Sequence, residues 1–244
     1  MTTSAVTAAR FARGRTFDEY VKHAGSPENL AREAFGSYYP DGGSKGTARK
    51  DNSAVFRERY AKARLSDYQT AAIKWLAAQP NGPANILVIS EDWSSDCRRD
   101  VPYLARLAEA GGLELRIFTR DGETMHMKGL PDPAAGGNAD LVNTYANEKN
   151  GERFATIPVA VFFTKDFVEL YRYIEFPAIY HKGRVIGSLR AARPGETEAD
   201  AKTRGGRDIG AMLDSPFFDV WARAGIAEIL SALHERLLVH DRRA

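Results

Sequence analysis

Residues 85–102 read Asn85-Ile86-Leu87-Val88-Ile89-Ser90-Glu91-Asp92-Trp93-Ser94-Ser95-Asp96-Cys97-Arg98-Arg99-Asp100-Val101-Pro102. Ile86 to Ile89 is a short, unbroken apolar run rich in β-branched side chains, as expected of a strand buried on both faces. A helix is predicted from about Cys97 to Ala110, closed by Gly111-Gly112, and Leu113 to Phe118 reads as a second strand. A strand, a short helix and a strand in that order predict a right-handed parallel crossover. The turn between strand and helix then sits at the positive end of the helix dipole, where backbone N–H groups favour a thiolate. Pro102 removes an intrahelical N–H and bends the helix.

Toward the N-terminus, Thr16 is positioned to cap a short helix through Tyr20, and Ser26-Pro27 is an N-cap followed by Pro at the first helical position. A Gly/Pro/Ser-rich loop runs from Gly36 to about Lys50. Residues 53–78 read as helix, broken near Ser66, with Tyr68, Ala72, Trp75 and Leu76 on one face. Toward the C-terminus, a loop spans Arg120 to Gly137 and a helix is predicted from Asp140 to Asn147. Val159–Phe163 and Phe167–Tyr173 form an antiparallel hairpin through Thr164-Lys165-Asp166. Glycines and prolines interrupt every period over 176–214, which therefore reads as loop. Ser215-Pro216 starts a helix whose Phe218, Trp221, Ile226, Ile229, Leu233 and Leu237 lie along one stripe.

The 244 residues can bury a full core, and the net charge of +2 gives no electrostatic reason to expect nucleic acid or a membrane surface as partner. No apolar stretch is long enough to span a bilayer. Cys97 is the one cysteine, which excludes an intrachain disulfide and suits a reducing cytoplasm. A flexible tail is expected over residues 1–15.

Residues 84–175 resemble the thioredoxin superfamily. Trp93, Cys97 and Pro102 match its Trp-Cys-x-x-Cys turn and helix-kinking proline, and Thr156-Ile157-Pro158-Val159 resembles its cis-proline loop, leading into a hairpin as it should. The likeness is greatest to bacterial thioredoxin-like proteins with an acid beside the second cysteine and extra helices around the core. It implies an α/β fold: a thioredoxin-like core with a central mixed sheet and flanking helices over residues 81–175. A helical N-terminal extension over 16–80 and a loop and C-terminal helix over 176–244 would pack on it. Two departures fall on the chemistry. Ser94 stands where the first, nucleophilic cysteine belongs, and Val88 replaces the family's buried acid. A dithiol–disulfide cycle within one chain is therefore impossible.

The residues expected to form the site are Cys97 and Ser94 as catalytic groups, with Trp93, Ser95, Asp96, Arg98, Thr156, Ile157 and Pro158 binding the partner. No metal or cofactor is expected. Several readings stay open. Cys97 is either a single reactive thiol, favoured as thiolate by the helix end, Arg98 and Arg99, or an inert packed side chain, since Glu91, Asp92, Asp96 and burial all oppose its charge. Ser94 either caps the helix or hydrogen-bonds the sulfur of a bound thiol, as the serine of some glutathione transferases does. The resemblance implies a monothiol or degenerate thiol–disulfide oxidoreductase whose partner is a protein or small-molecule thiol or disulfide. The alternative is a non-catalytic protein that keeps the cis-proline groove for binding. Met125-His126-Met127 offers soft ligands suited to copper, but the expected reading is a solvent-facing loop. Tyr38, Tyr39, Tyr171, Tyr173 and Tyr180 are expected in core or sheet packing rather than a ligand pocket. The charged run from Arg190 to Asp208 is expected to be a solvated loop that could cover the site.

Overall fold

The computed structural model describes residues 6–34, 47–121 and 130–240. Tyr38, Tyr39 and Met125-His126-Met127 lie outside them. The N-terminal part begins with α1 (Ala8–Phe11), α2 (Phe17–Ala24) and α3 (Pro27–Leu30), followed by a two-residue pairing of β1 (Glu33–Ala34) with β2 (Thr47–Ala48). Thr16 and Glu19 make a reciprocal capping box on α2, and Ser26 caps α3 ahead of Pro27. α4 (Ser53–Lys62) and α5 (Asp67–Ala77) are separate helices, because Ser66 opens a second capping box with Gln69.

The core is a four-stranded sheet in the order β4-β3-β7-β8: β3 (Asn85–Ser90), β4 (Glu114–Thr119), β7 (Val159–Phe163) and β8 (Glu169–Ile174). β3 pairs in parallel with β4 and antiparallel with β7, which pairs antiparallel with β8. Every residue of β3 is buried, as its unbroken apolar run requires. The crossover from β3 to β4 is α6 (Ser95–Gly111), which contains Pro102 and ends at Gly112, whose φ of 66° is the left-handed cap that glycine supplies without a Cβ clash. α7 (Ala139–Thr144) and the small hairpin β5 (Asn147–Lys149)–β6 (Glu152–Phe154) precede β7. α8 (Lys182–Arg190), α9 (Glu198–Leu213) and α10 (Phe217–His240) complete the chain, with α10 packed on β8, α5 and α6. This is the α/β fold with central mixed sheet, flanking helices and helical extensions at both ends that the sequence predicts.

Four local expectations change. Residues 8–15 are not a tail: α1 buries Phe11, and Arg15 exchanges backbone hydrogen bonds with Ile117 on the edge of β4. On α5 the buried residues are Ile73 and Leu76, while Tyr68 is 87% and Trp75 47% exposed, because α5 meets α6 and α10 along a face rotated from the aromatic one. The helix predicted through Asn147 stops at Thr144, and residues 147–154 form a hairpin, turned by Asn150 and Gly151 at positive φ. Residues 176–214 hold two helices rather than a loop. The charged run is mostly α9, capped by Thr197 and fastened by Arg204, which donates to Glu196, Asp208 and the carbonyls of Leu189 and Ala191. Gly205 suits this close crossing, where a Cβ would stand 3.1 Å from the Leu189 carbonyl oxygen.

Tyr173 and Tyr180 are buried in packing, and Tyr171 is half-buried with its hydroxyl donating to Glu228. Among the described residues no helix is long and apolar enough to cross a membrane.

Candidate functional site

β3 delivers the chain to the carboxyl end of the sheet, and residues 91–94 turn it into α6. Ser94 is the N-cap: its Oγ accepts the backbone N–H of Cys97 at 3.4 Å. Its side chain is thus engaged in the orphan-donor role that serine fills at helix starts.

Cys97 is wholly buried. The Ser90 and Ser94 hydroxyls and the Glu91 backbone surround its sulfur and favour the thiolate, yet burial outweighs them and pushes the thiol up to about 12. Behind it, Tyr20 Oη and Ser90 Oγ lie 2.9 Å apart, so a buried row of hydroxyls runs from α2 to the sulfur. Arg98 donates to Asn52 Oδ1 at 2.8 Å and interacts electrostatically with Cys97. Asp96 Oδ1 accepts from Arg99 at 2.6 Å, and its Oδ2 accepts from Lys182 at 2.6 Å.

Trp93 is half-buried, its indole N–H donating to Asp121 Oδ2 at 2.8 Å and its ring lying 5.0 Å below the Arg120 guanidinium. Arg120 in turn donates to the Ala155 carbonyl at 3.1 Å, tying the motif turn to the chain that enters β7. The Ile157–Pro158 peptide is cis, and both residues are buried. Val159 pairs with Ile89, so Pro158 enters the sheet beside the strand end from which the motif departs. Thr156 and Ser95 are partly exposed, and with Trp93 they give the solvent-facing rim of this region. No hydrogen bond within the described residues uses the backbone of Thr156 or Ile157. Cys97, Ser94, Trp93, Ser95, Asp96, Arg98, Thr156, Ile157 and Pro158 thus gather at one end of the sheet, although Cys97 is beneath the surface and not on it.

An ionic cluster that sequence reasoning missed lies behind Trp93. Arg49 is buried and reaches Glu91 at 2.7 Å, Asp92 at 2.5 Å and Asp121 at 2.9 Å. Burial alone would lower the Arg49 pKa, but its three carboxylates hold it above the ordinary value. Glu91 is pushed up to about 7 by burial and by Asp121, against the pull of Arg49 and Arg32. The doublet Glu91-Asp92 at the end of an apolar strand was the available signal; nothing in the sequence announces Arg49. A second cluster joins Arg99, Asp100, Asp96, Lys182 and Glu175, with Tyr173 donating to Asp100 at 3.1 Å. Among the described residues no group of three or more His, Cys, Asp or Glu side chains could hold a metal.

The family model described as Thioredoxin matches residues 44–188. No curated protein matches the sequence significantly. A Pseudomonas aeruginosa protein of unknown function, solved at 1.5 Å, is similar in structure, with a TM-score of 0.50 and 14% identity over 94% of this chain and 98% of that one. An HIV epitope-scaffold protein has a TM-score of 0.49 and 16% identity over the same shares.

Proposed function

The chain belongs to the thioredoxin family, and on that premise we propose that it is a degenerate member that binds an extended partner segment beside Pro158 without turning over disulfides. The observation that carries this reading is the state of Cys97: wholly buried, raised to about 12, with serine in the place of the outer cysteine. A thiol with so little thiolate near neutral pH is a poor nucleophile. The part of the site that does not depend on sulfur is intact. The free backbone of Thr156 and Ile157 and the rim of Trp93 and Ser95 suit strand-like pairing with an extended chain. A cytoplasmic setting suits a chain whose single cysteine forms no internal disulfide.

Three measurements test this. Iodoacetamide should leave Cys97 unlabelled in the folded protein between pH 7 and 9 and label it on unfolding. Insulin disulfides should not be reduced by the chain. S-carboxymethylated insulin B chain, an extended probe without thiols, should shift NMR signals of Trp93, Ser95, Thr156 and Ile157. Rapid folded-state alkylation would favour instead a monothiol exchange through Cys97, and shifts elsewhere on the molecule would remove the groove. Holding a small thiol at Ser94 would draw its hydroxyl away from the Cys97 N–H, so titration with glutathione should leave the Cys97 amide signal in place.

A further inference from the structure

Lys182, the first residue of α8, donates to Asp96 in the first turn of α6 and to Glu175 at the end of β8. The Glu175 N–H in turn donates to the Pro158 carbonyl at 2.8 Å. One ammonium group therefore straddles the two walls of the proposed groove, the motif helix and the proline strand. It comes from an element with little other hold on the core. α8 has no buried residue, and its main packing partner is α9.

Both ends of the α8–α9 unit are anchored at one place. Tyr180 stacks on Trp221 with ring centroids 3.7 Å apart, and its hydroxyl contacts Met212 Sδ at 3.8 Å, next to where α9 ends. Tyr180, Phe218 and Trp221 form a small apolar cluster separate from the main core. Within the two helices, Gly183, Gly187, Gly206 and Gly210 each face open space. Glycine inside a helix lowers its stability, and no close approach at these four positions calls for it.

We infer that α8 and α9 form a flap hinged at Tyr180 and Met212 and latched by Lys182, whose release from Asp96 and Glu175 opens the end of the groove beside Pro158. The latch is an internal cation held by two carboxylates, and its loss leaves Asp96 and Glu175 open to a basic side chain of the bound segment. A unit held to α10 through a small apolar cluster, with destabilising glycines and one ionic tether, has the makings of a low-stability cooperative element. Its role in regulating binding rests on the groove reading above; its opening does not.

Hydrogen–deuterium exchange on the full chain tests the opening. Residues 182–213 should exchange faster than residues 221–233 of α10. Lys182→Met should raise exchange over 182–190 about tenfold while leaving 221–233 unchanged. Replacing Gly183, Gly187, Gly206 and Gly210 together by alanine should slow exchange over 182–213. Exchange over 182–213 as slow as in α10, or unaltered by Lys182→Met, would overturn the flap. S-carboxymethylated insulin B chain should bind Lys182→Met more tightly than the parent. If it binds neither, the groove reading fails and the exchange result still decides the flap.

Discussion

The indole of Trp93 hangs from Asp121, its N–H donating to Oδ2 at 2.8 Å from a residue just past the end of β4. The same oxygen accepts from Arg49 at 2.9 Å, and Oδ1 accepts from Arg120 at 2.7 Å. The motif's one aromatic is thus positioned by a buried charge cluster and not by apolar packing alone.

The two partners should differ in what they cost when altered. Trp93→Phe removes one hydrogen bond to a charged acceptor and is expected to lower stability by about 1.5–3 kcal/mol. Asp121→Asn keeps an acceptor for the indole but leaves Arg49 and Arg120 with a missing negative charge, at about 3–5 kcal/mol. Urea unfolding of both variants measures the difference. An Asp121→Asn variant as stable as Trp93→Phe would mean that the cluster is redundant.

Ser94→Ala removes the N-cap of α6 and is expected to cost about 1 kcal/mol, a fall of about 3 °C in Tm for a chain this long. It also removes one of the hydroxyls that favour the Cys97 thiolate, so the thiol should become still less reactive in the folded state. A Tm unchanged within error would show that the cap contributes nothing to stability; faster alkylation of Cys97 would show that Ser94 shields the sulfur rather than stabilising its thiolate.

The core was legible in the sequence because its signals are local. An all-buried strand, a capped helix and a closing glycine each follow from neighbouring residues, and the motif turn and the Ile157-Pro158 entry to β7 follow in the right order. The same locality hid α8 and α9. Their glycines break every helical period, and they hold together through Arg204 and the close crossing at Gly205, contacts between residues about a helix apart. At the site, the positions of Trp93, Ser94, Cys97 and Pro158 could be read, but the bonds of Arg49, Arg98 and Lys182 could not. Each reaches a partner more than forty residues away, and a charged residue gives no sequence sign of which distant acceptor it will meet.

Two buried groups should give opposite pH dependences. Glu91 rises from an ordinary 4.5 to about 7 through burial and Asp121. Between those values the folded state keeps a proton that the unfolded chain has lost, so stability falls as pH rises, by at most about 1.4 kcal/mol per unit. His23 drops from 6.5 to about 4 through burial, with Arg15 and Arg32 adding to it, and its Nε2 has no hydrogen-bond partner among the described residues. Below 6.5 the unfolded imidazole takes a proton that the folded one refuses, so stability falls as pH drops toward 4. The slopes oppose each other where the windows overlap. Unfolding free energies from pH 4 to 8 should therefore show a steeper loss with rising pH in His23→Gln, and a loss with falling pH in Glu91→Gln. Profiles parallel to that of the parent would refute the assignment.

Gly225 lies where α10 crosses Tyr173 of β8. A Cβ at this position would stand 2.8 Å from the Tyr173 hydroxyl and 3.2 Å from Cζ. The ring has nowhere to retreat: it is 1% exposed, and its hydroxyl donates to Asp100, which holds Arg99 through two bonds of 2.7 Å. Gly225→Ala should therefore cost about 1–3 kcal/mol despite the better helix propensity of alanine. Gly206→Ala, facing open space in α9, should be neutral or stabilising by up to about 1 kcal/mol. Tyr173→Phe removes the nearest clashing atom but deprives Asp100 of a donor, so it should destabilise the parent protein. Combined with Gly225→Ala it should cost less than the sum of the two single changes, because the clash and the hydrogen bond share one oxygen. Strict additivity in a double-mutant cycle would mean that α10 shifts to admit the methyl group and that the Tyr173 hydroxyl is not what holds the two elements at this distance.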